Sequence, residues 1–284
     1  MNSLSDIKRR LISVKQTRQI TGAMETISIA KMQKALARFD SYGIYADAVE
    51  QALISMLSCG DELTAHYTST ARGGKLYIVI ASDKGLCGGF NHDVFKLADS
   101  VIERDCTVIP IGQTAADHYS SAKNVDMRFV SLGYSPDYAK VMPLAETVID
   151  GFGNDFGSVA LIYTKLISHT AWKPVIKTVL PVSSDMRSNV GAGSATVAEP
   201  SANEVLKTLL PLYISSACYG ALLGSSAAEH SARRVAMSSS TKSADEMIET
   251  LSIEYNRARQ NTVTEQITEI IGSMSALGAA GERR

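Results

Sequence analysis

From Leu4 onward, apolar or small side chains recur at steps of three and four: Leu4, Ile7, Leu11, Val14, then Met32, Ala35, Phe39, Tyr42, Ala46, Val49, Leu53 and Met56. That spacing is a coiled-coil seam. Between the two runs the same phase falls on Arg18, Thr21, Glu25 and Ser28, while Ile20, Met24 and Ile27 carry the apolar character on a shifted face, so a phase slip with local unwinding is expected. At about 1.5 Å per residue, one helix over 4–57 would be on the order of 80 Å long and needs a partner. The other end of the chain offers one. Helix breakers are sparse from Asn203 to Leu277, and Ala244, Ile248, Leu251, Tyr255, Ala258, then Ile267, Ile270, Met274 and Leu277 repeat at near-heptad spacing. Glu249, Glu254, Arg257 and Arg259 would face outward, and the Ser- and Ala-rich stretch 225–240 lets two backbones approach closely. Pro211 should start the continuous part of this helix or kink it. Both stripes also suit the core helices of a bundle, but their length and terminal placement favour an antiparallel pair, with residues 4–14 against 244–258. The segment from Val263 to Leu277 is then left without a partner in the chain.

Between the helices the pattern changes. Residues 75–82 (KLYIVIAS) and 106–112 (CTVIPIG) read as buried strands. A helix is expected over 91–103 with Asn91 as its N-cap. Helices over 113–123 and 138–152, a short strand over 127–132, and strands over 158–167 and 175–182 follow. Such alternation predicts a mostly parallel sheet with helices on its faces. Residues 183–200, rich in Ser, Gly and Asn, read as a loop. The expected fold class is therefore α/β plus a long antiparallel coiled coil. Its divisions are an N-terminal coiled-coil helix (1–58), a Rossmann-like α/β domain (75–200) and a C-terminal coiled-coil helix (203–277).

The 284 residues carry 45% apolar but only 6% aromatic side chains, a small-residue, helix-rich composition, and a formal net charge of −1. Near-neutrality argues against a nucleic-acid binder; any charge signal is local, as in the eight basic against five acidic residues of 1–50. Cys59, Cys87, Cys106 and Cys218 lie far apart, with neither a disulfide framework nor metal spacing, which fits a reducing compartment. Lys15 and Arg18 interrupt what would have to be the apolar part of a signal peptide. The uncharged window 208–228 is long enough to span a membrane, but its Pro, Gly and Ser make it too polar.

The loop 83–91 (DKGLCGGFN) sits where a phosphate-binding loop would follow the first strand, yet it has neither GxGxxG nor GxxxxGK[ST] spacing. Gly85, Gly88 and Gly89 are therefore read as structural, permitting a tight turn and close packing, and Cys87 as an inert buried thiol. The five histidines are scattered and flank no nucleophile. No catalytic constellation, cofactor site or metal site is expected.

Four segments point further. Residues 3–32 (SLSDIKRRLISVKQTRQITGAMETISIAKM), 82–91 (SDKGLCGGFN), 219–237 (YGALLGSSAAEHSARRVAM) and 254–277 (EYNRARQNTVTEQITEIIGSMSAL) resemble, in order, the gamma subunit of F-type ATP synthases. The resemblance covers nearly the whole chain. It implies a non-catalytic central rotary shaft that couples ion flow through the membrane sector to ATP synthesis or hydrolysis on the beta subunits. The terminal helices would insert into a ring of alpha and beta subunits, and the α/β domain would lie near the epsilon subunit and the membrane c-ring. It would sit peripherally on the cytoplasmic face of the cell membrane, with no small-molecule substrate. Residue by residue, Met24, Arg259, Gln260 and Thr264 match positions that contact the beta subunits. Glu229 and Arg233 match positions tied to coupling, and Glu199 a position beside the c-ring. The chain departs from the pattern at Gly22 and Glu25, where the family commonly has Lys, and at Gly224, where it commonly has Glu. Two other readings differ in kind. A nucleotide-dependent α/β enzyme would bind nucleotide as the isolated chain, and a coiled-coil scaffold would not co-purify with a hexameric ATPase.

Overall fold

The computed structural model describes residues 3–57, 62–69, 73–103, 105–122, 124–133, 136–182, 198–199 and 201–281; of residues 62–64 and 273–281 it describes the backbone alone. Two long helices bracket the chain: α1, Leu4–Leu57, and α6, Ala202–Gly281. Between them lie α2 (Glu62–Thr68), β1 (Gly74–Ile80), α3 (Phe90–Val101), β2 (Thr107–Ile111), α4 (Gln113–His118), a 3-10 turn (Met127–Gly133), α5 (Tyr138–Gly151), β3 (Phe156–Ser168) and β4 (Ala171–Leu180). The chain divides into two compact units, residues 1–26 with 237–284, and residues 27–236.

In the first unit the two helices run antiparallel. Thr241 donates its hydroxyl to Thr21 Oγ1 at 2.8 Å, and Arg18 Nε meets Asp245 Oδ1 at 3.0 Å, so stepping back along α1 means stepping forward along α6. Ile7, Thr21, Met237, Ala244 and Leu251 are buried, with Leu4, Leu11, Val14, Ile248, Tyr255 and Ala258 half-buried. The register brings the expected segments, 4–14 and 244–258, against each other. The expected phase slip is absent. Thr21 is buried in the original heptad phase, as is Ser28 in the second unit, whereas Ile20 and Ile27 are 61% and 55% exposed. Small hydroxylated side chains suit a close backbone approach, and the Thr–Thr bond satisfies the polar atoms that this buries. Beyond Thr262 every described side chain of α6 is exposed.

The second unit is built on a four-stranded sheet of order β2-β1-β3-β4, with β1 parallel to both neighbours and β4 antiparallel to β3. Alternation along β1 explains its two covered faces. Leu76, Ile78 and Ile80 join Ile109, Ile111, Val159 and Leu161 under α5 and the facing ends of α1 and α6. Tyr77 and Val79 point the other way, toward Val94 and Ala98 of α3. Leu206, Leu210, Ile214, Cys218 and Leu222 belong to the first of these cores, so the apolar window of α6, long and apolar enough to cross a membrane, here covers a sheet. Within the unit α1 and α6 again lie against each other: a Cβ at Gly224 would sit 3.3 Å from the Phe39 ring.

Several expectations are corrected. Residues 127–132 form the 3-10 turn rather than a strand, because its buried side chains, Phe129 and Leu132, are three apart and not two. Helix α4 stops at His118 rather than running to 123. Asn91 lies inside α3, whose N-cap position is Gly89 with no side-chain cap. Pro211 does not start α6; Ser201 does, accepting from the Glu204 N–H at 3.3 Å, and the helix continues through the proline. Cys59, the loop 183–200 except Ala198 and Glu199, and the side chains of Met274 and Leu277 lie outside the described residues.

Candidate functional site

β1 runs out at Ile80, and the loop that follows is tied down from inside. Asn91 Oδ1 accepts the Ser82 N–H at 3.1 Å and its Nδ2 donates to Ser82 Oγ at 2.8 Å, so the side chain expected to cap α3 instead stitches the loop's two ends together. Ser82 is fully buried and passes its own hydroxyl hydrogen to the Lys84 carbonyl at 2.9 Å. Of the three glycines only Gly88, at φ +60°, occupies a backbone conformation that calls for glycine. Gly85 and Gly89 do not, while Leu86 adopts φ +63° with its side chain 62% exposed.

Residues 228–236 of α6 lie on this loop. Ala228 and Ala232 pack on Cys87 and Phe90, with Leu166 and Trp172 of the β3–β4 hairpin alongside. Arg233 reaches the loop backbone, donating to the carbonyls of Lys84 at 2.9 Å and Gly85 at 3.3 Å, while its other terminal nitrogen meets Glu229 Oε1 at 2.7 Å. A phosphate cradle presents N–H donors. This loop presents carbonyl acceptors, and a guanidinium of the chain itself occupies them.

The cluster is electrostatically tense. Burial pushes the Glu229 carboxyl above its usual range, with the Asp83 charge adding to the rise and Arg233 and Lys31 pulling it back. Burial lowers His230 to about 4, helped by the charges of Arg233 and Lys31. A neutral ring then accepts from Arg233 at Nδ1, 3.3 Å away. The Cys87 thiol, also buried, is pushed up rather than activated. Ser231 and Arg234 both donate to the His169 carbonyl, at 2.5 and 3.1 Å, anchoring the hairpin tip to the same stretch of α6.

Of the sequence-derived residues, the structure brings together Glu229, Arg233 and the glycine loop. Met24 is half-buried on α1. Arg259, Gln260 and Thr264 are exposed on α6, Thr264 returning its hydroxyl to the Gln260 carbonyl at 2.9 Å. Glu199 is exposed just before α6 begins. His230, Lys31 and the His169 carbonyl were missed. Lys31 and His169 are far from 229–233 in sequence, and His230 carries no motif, so only the fold assembles them. Among the described residues no group of His, Cys, Asp or Glu is arranged to hold a metal ion.

The ATP synthase family model matches residues 3–277. The ATP synthase gamma chain of Pelotomaculum thermopropionicum is 36% identical over 286 residues, spanning 98% of this chain and 100% of that one. That of Fusobacterium nucleatum is 35% identical over 287 residues, with the same coverage of 98% and 100%. Among solved structures, a chain of the Euglena gracilis mitochondrial ATP synthase OSCP/F1/c-ring assembly superposes with a TM-score of 0.68 at 16% identity, covering 98% of this chain and 95% of that chain. A chain of the Tetrahymena thermophila mitochondrial ATP synthase central stalk and c-ring gives 0.59 at 22% identity, covering 78% and 98%. At these identities the structural likeness is one of fold.

Proposed function

We infer the function from one premise: the chain belongs to the ATP synthase gamma-chain family. It is the central rotary shaft of an F-type ATP synthase, coupling ion flow through the membrane sector to ATP synthesis and hydrolysis. The observation that supports this best is the pairing of the terminal helices. In the first unit the antiparallel seam ends, among the described side chains, at Thr262, and past it α6 carries Val263, Ile267, Ile270 and Ile271, all 47–59% exposed. Exposed apolar groups in such a row suit enclosure by another subunit. The partners are the alpha and beta subunits around the shaft, the epsilon subunit and the membrane c-ring, and the chain works at the membrane without entering it, on the cytoplasmic face.

We read the chain as non-catalytic. Phosphoryl transfer needs a phosphate cradle, a metal held by hydroxyl or carboxylate, and a positioned water. The loop after β1 instead hands its Lys84 and Gly85 carbonyls to Arg233. Met24, Arg259, Gln260 and Thr264 then serve as contacts to the beta subunits. Glu229 and Arg233 couple indirectly, by holding the loop to α6, and Glu199 faces the c-ring. The shaft contributes contact energy that differs from one beta subunit to the next, which biases their conformations and so their nucleotide affinities.

Two experiments test this. Affinity purification of the chain from cells that produce it should recover alpha and beta subunits together with epsilon and c; recovery of the chain alone would refute the shaft. Calorimetry of the purified chain with Mg-ATP should show no saturable heat. Micromolar binding lost in Lys84→Ala would favour the enzyme reading.

A further inference from the structure

A cleft of about 700 Å³ opens in the second unit between α1, the β3–β4 hairpin and α6. That is the size of a small-molecule site. Its floor is the part of α6 where Ser216, Gly220 and Gly224 succeed one another at steps of four, with the Phe39 ring over Gly224. At Gly220 a Cβ would meet only the Tyr42 ring edge within 4 Å, at 3.8 Å. Aromatic and aliphatic surface comes from Phe39, Tyr163 and Leu166.

The charges are not symmetrical. The α1 wall is acidic, with Asp40, Asp47 and Glu50 on one side of the helix, and the hairpin wall brings Lys165 and Lys177. Glu50 and Lys177 approach across the cleft to 3.8 Å and offset each other. Setting Lys165 against one of the remaining carboxylates still leaves one in excess. An apolar floor, aromatic faces and a surplus carboxylate together select a cation with a hydrophobic body, since aromatic faces attract cations and repel anions.

We propose that this cleft binds an amphiphilic organic cation, a ring-sized apolar body carrying one amine, with the amine at Asp40 and Asp47 and the body by Gly220, against the Phe39 ring beside it. An occupant would touch α1, α6 and the hairpin at once and tie them together.

The test uses the full chain and two compounds with one ring system and opposite charge, naphthylethylamine and naphthylacetic acid. In NMR titrations the amine should shift the amide signals of Gly220 and Gly224 saturably at millimolar concentration or below, and bind about tenfold tighter than the acid. Asp40→Asn with Asp47→Asn, at two exposed positions, should remove that tenfold preference. Gly220→Leu should weaken both compounds about tenfold by filling the floor. Equal affinity of amine and acid, preference kept in the double variant, or no saturation by either compound each overturns the assignment. Saturation by a lysine-bearing amphipathic peptide when the amine fails would give the cleft to a partner protein and overturn it as well.

Discussion

Arg233 satisfies two backbone carbonyls and a half-buried carboxylate with one planar group, a task that a lysine, with its single point of charge, cannot repeat. We predict that Arg233→Ala lowers stability by about 3 kcal/mol, the usual loss when one partner of a buried pair is removed, and speeds amide exchange across the loop 84–91. Arg233→Lys should recover only part of the loss, and denaturant titration with hydrogen exchange checks both. His230 gives a pH signature. Its folded value, about 4, lies below the ordinary 6.5, so the unfolded chain takes up a proton first as pH falls. Stability is therefore fully present above about pH 6.5 and is lost progressively down to about pH 4, by as much as ~3 kcal/mol for a shift of this size. We predict that His230→Gln flattens this part of the pH profile relative to the parent chain, whose carboxylates contribute equally in both proteins. Leu86 is a third case, an exposed non-glycine residue at φ +63°. Leu86→Gly should raise the melting temperature slightly, since the left-handed conformation costs leucine about 1–2 kcal/mol and glycine's extra backbone freedom offsets about half of that. A clear drop would mean that the side chain carries a contact within the chain.

The elements show which parts of the chain could be read in advance. The two long helices were legible because a three-four repeat sustained over dozens of residues has no other structural use, and the bounds of α1 came out as expected. The strands 75–82 and 106–112 were legible as apolar runs. What failed was local and has a common cause. Asn91 is a good cap by residue type, but its amide is taken up by Ser82, a partner nine positions away in sequence. The turn 127–133 holds a hydrophobic run that periodicity alone does not separate from a strand. The supposed phase slip assumed that a buried seam must be apolar. Thr21 and Thr241 show the alternative, two hydroxyls bonded to each other across a close contact. Replacing both partners of such a bond with apolar groups of the same shape is close to neutral or stabilising, while replacing one is not. We predict that Thr21→Val alone lowers the melting temperature by a few degrees and that adding Thr241→Val restores it or raises it above the parent. Additive losses in the double variant would show that the hydroxyl pair is no structural unit.

For the molecule as a whole, the decisive feature is that α6 outlasts its partner. Among the described side chains the last half-buried one is Thr262, and beyond it Val263, Ile267, Ile270 and Ile271 are apolar but exposed, whereas Arg259 and Gln260, just before, are polar and exposed. These two regions should do different work in the assembly. Apolar contact in an enclosing sleeve is non-directional, so its energy changes little as the shaft turns. A charge-assisted hydrogen bond from a guanidinium depends steeply on angle and distance, so it is made and broken at defined positions of rotation. Torque should accordingly pass through Arg259 and Gln260, and the apolar end should serve as a bearing. We predict that Arg259→Ala with Gln260→Ala in the complete synthase lowers ATP-driven ion pumping more than truncation after Ile271, when each is normalised to its own ATPase rate. The two variants also separate in assembly. The truncation removes part of the bearing and should cost subunit retention at elevated temperature, whereas the double substitution should leave the complex intact and slip within it. Equal pumping losses, or a larger loss from the truncation with the complex still assembled, would place torque transmission at the apolar end and refute the division of labour.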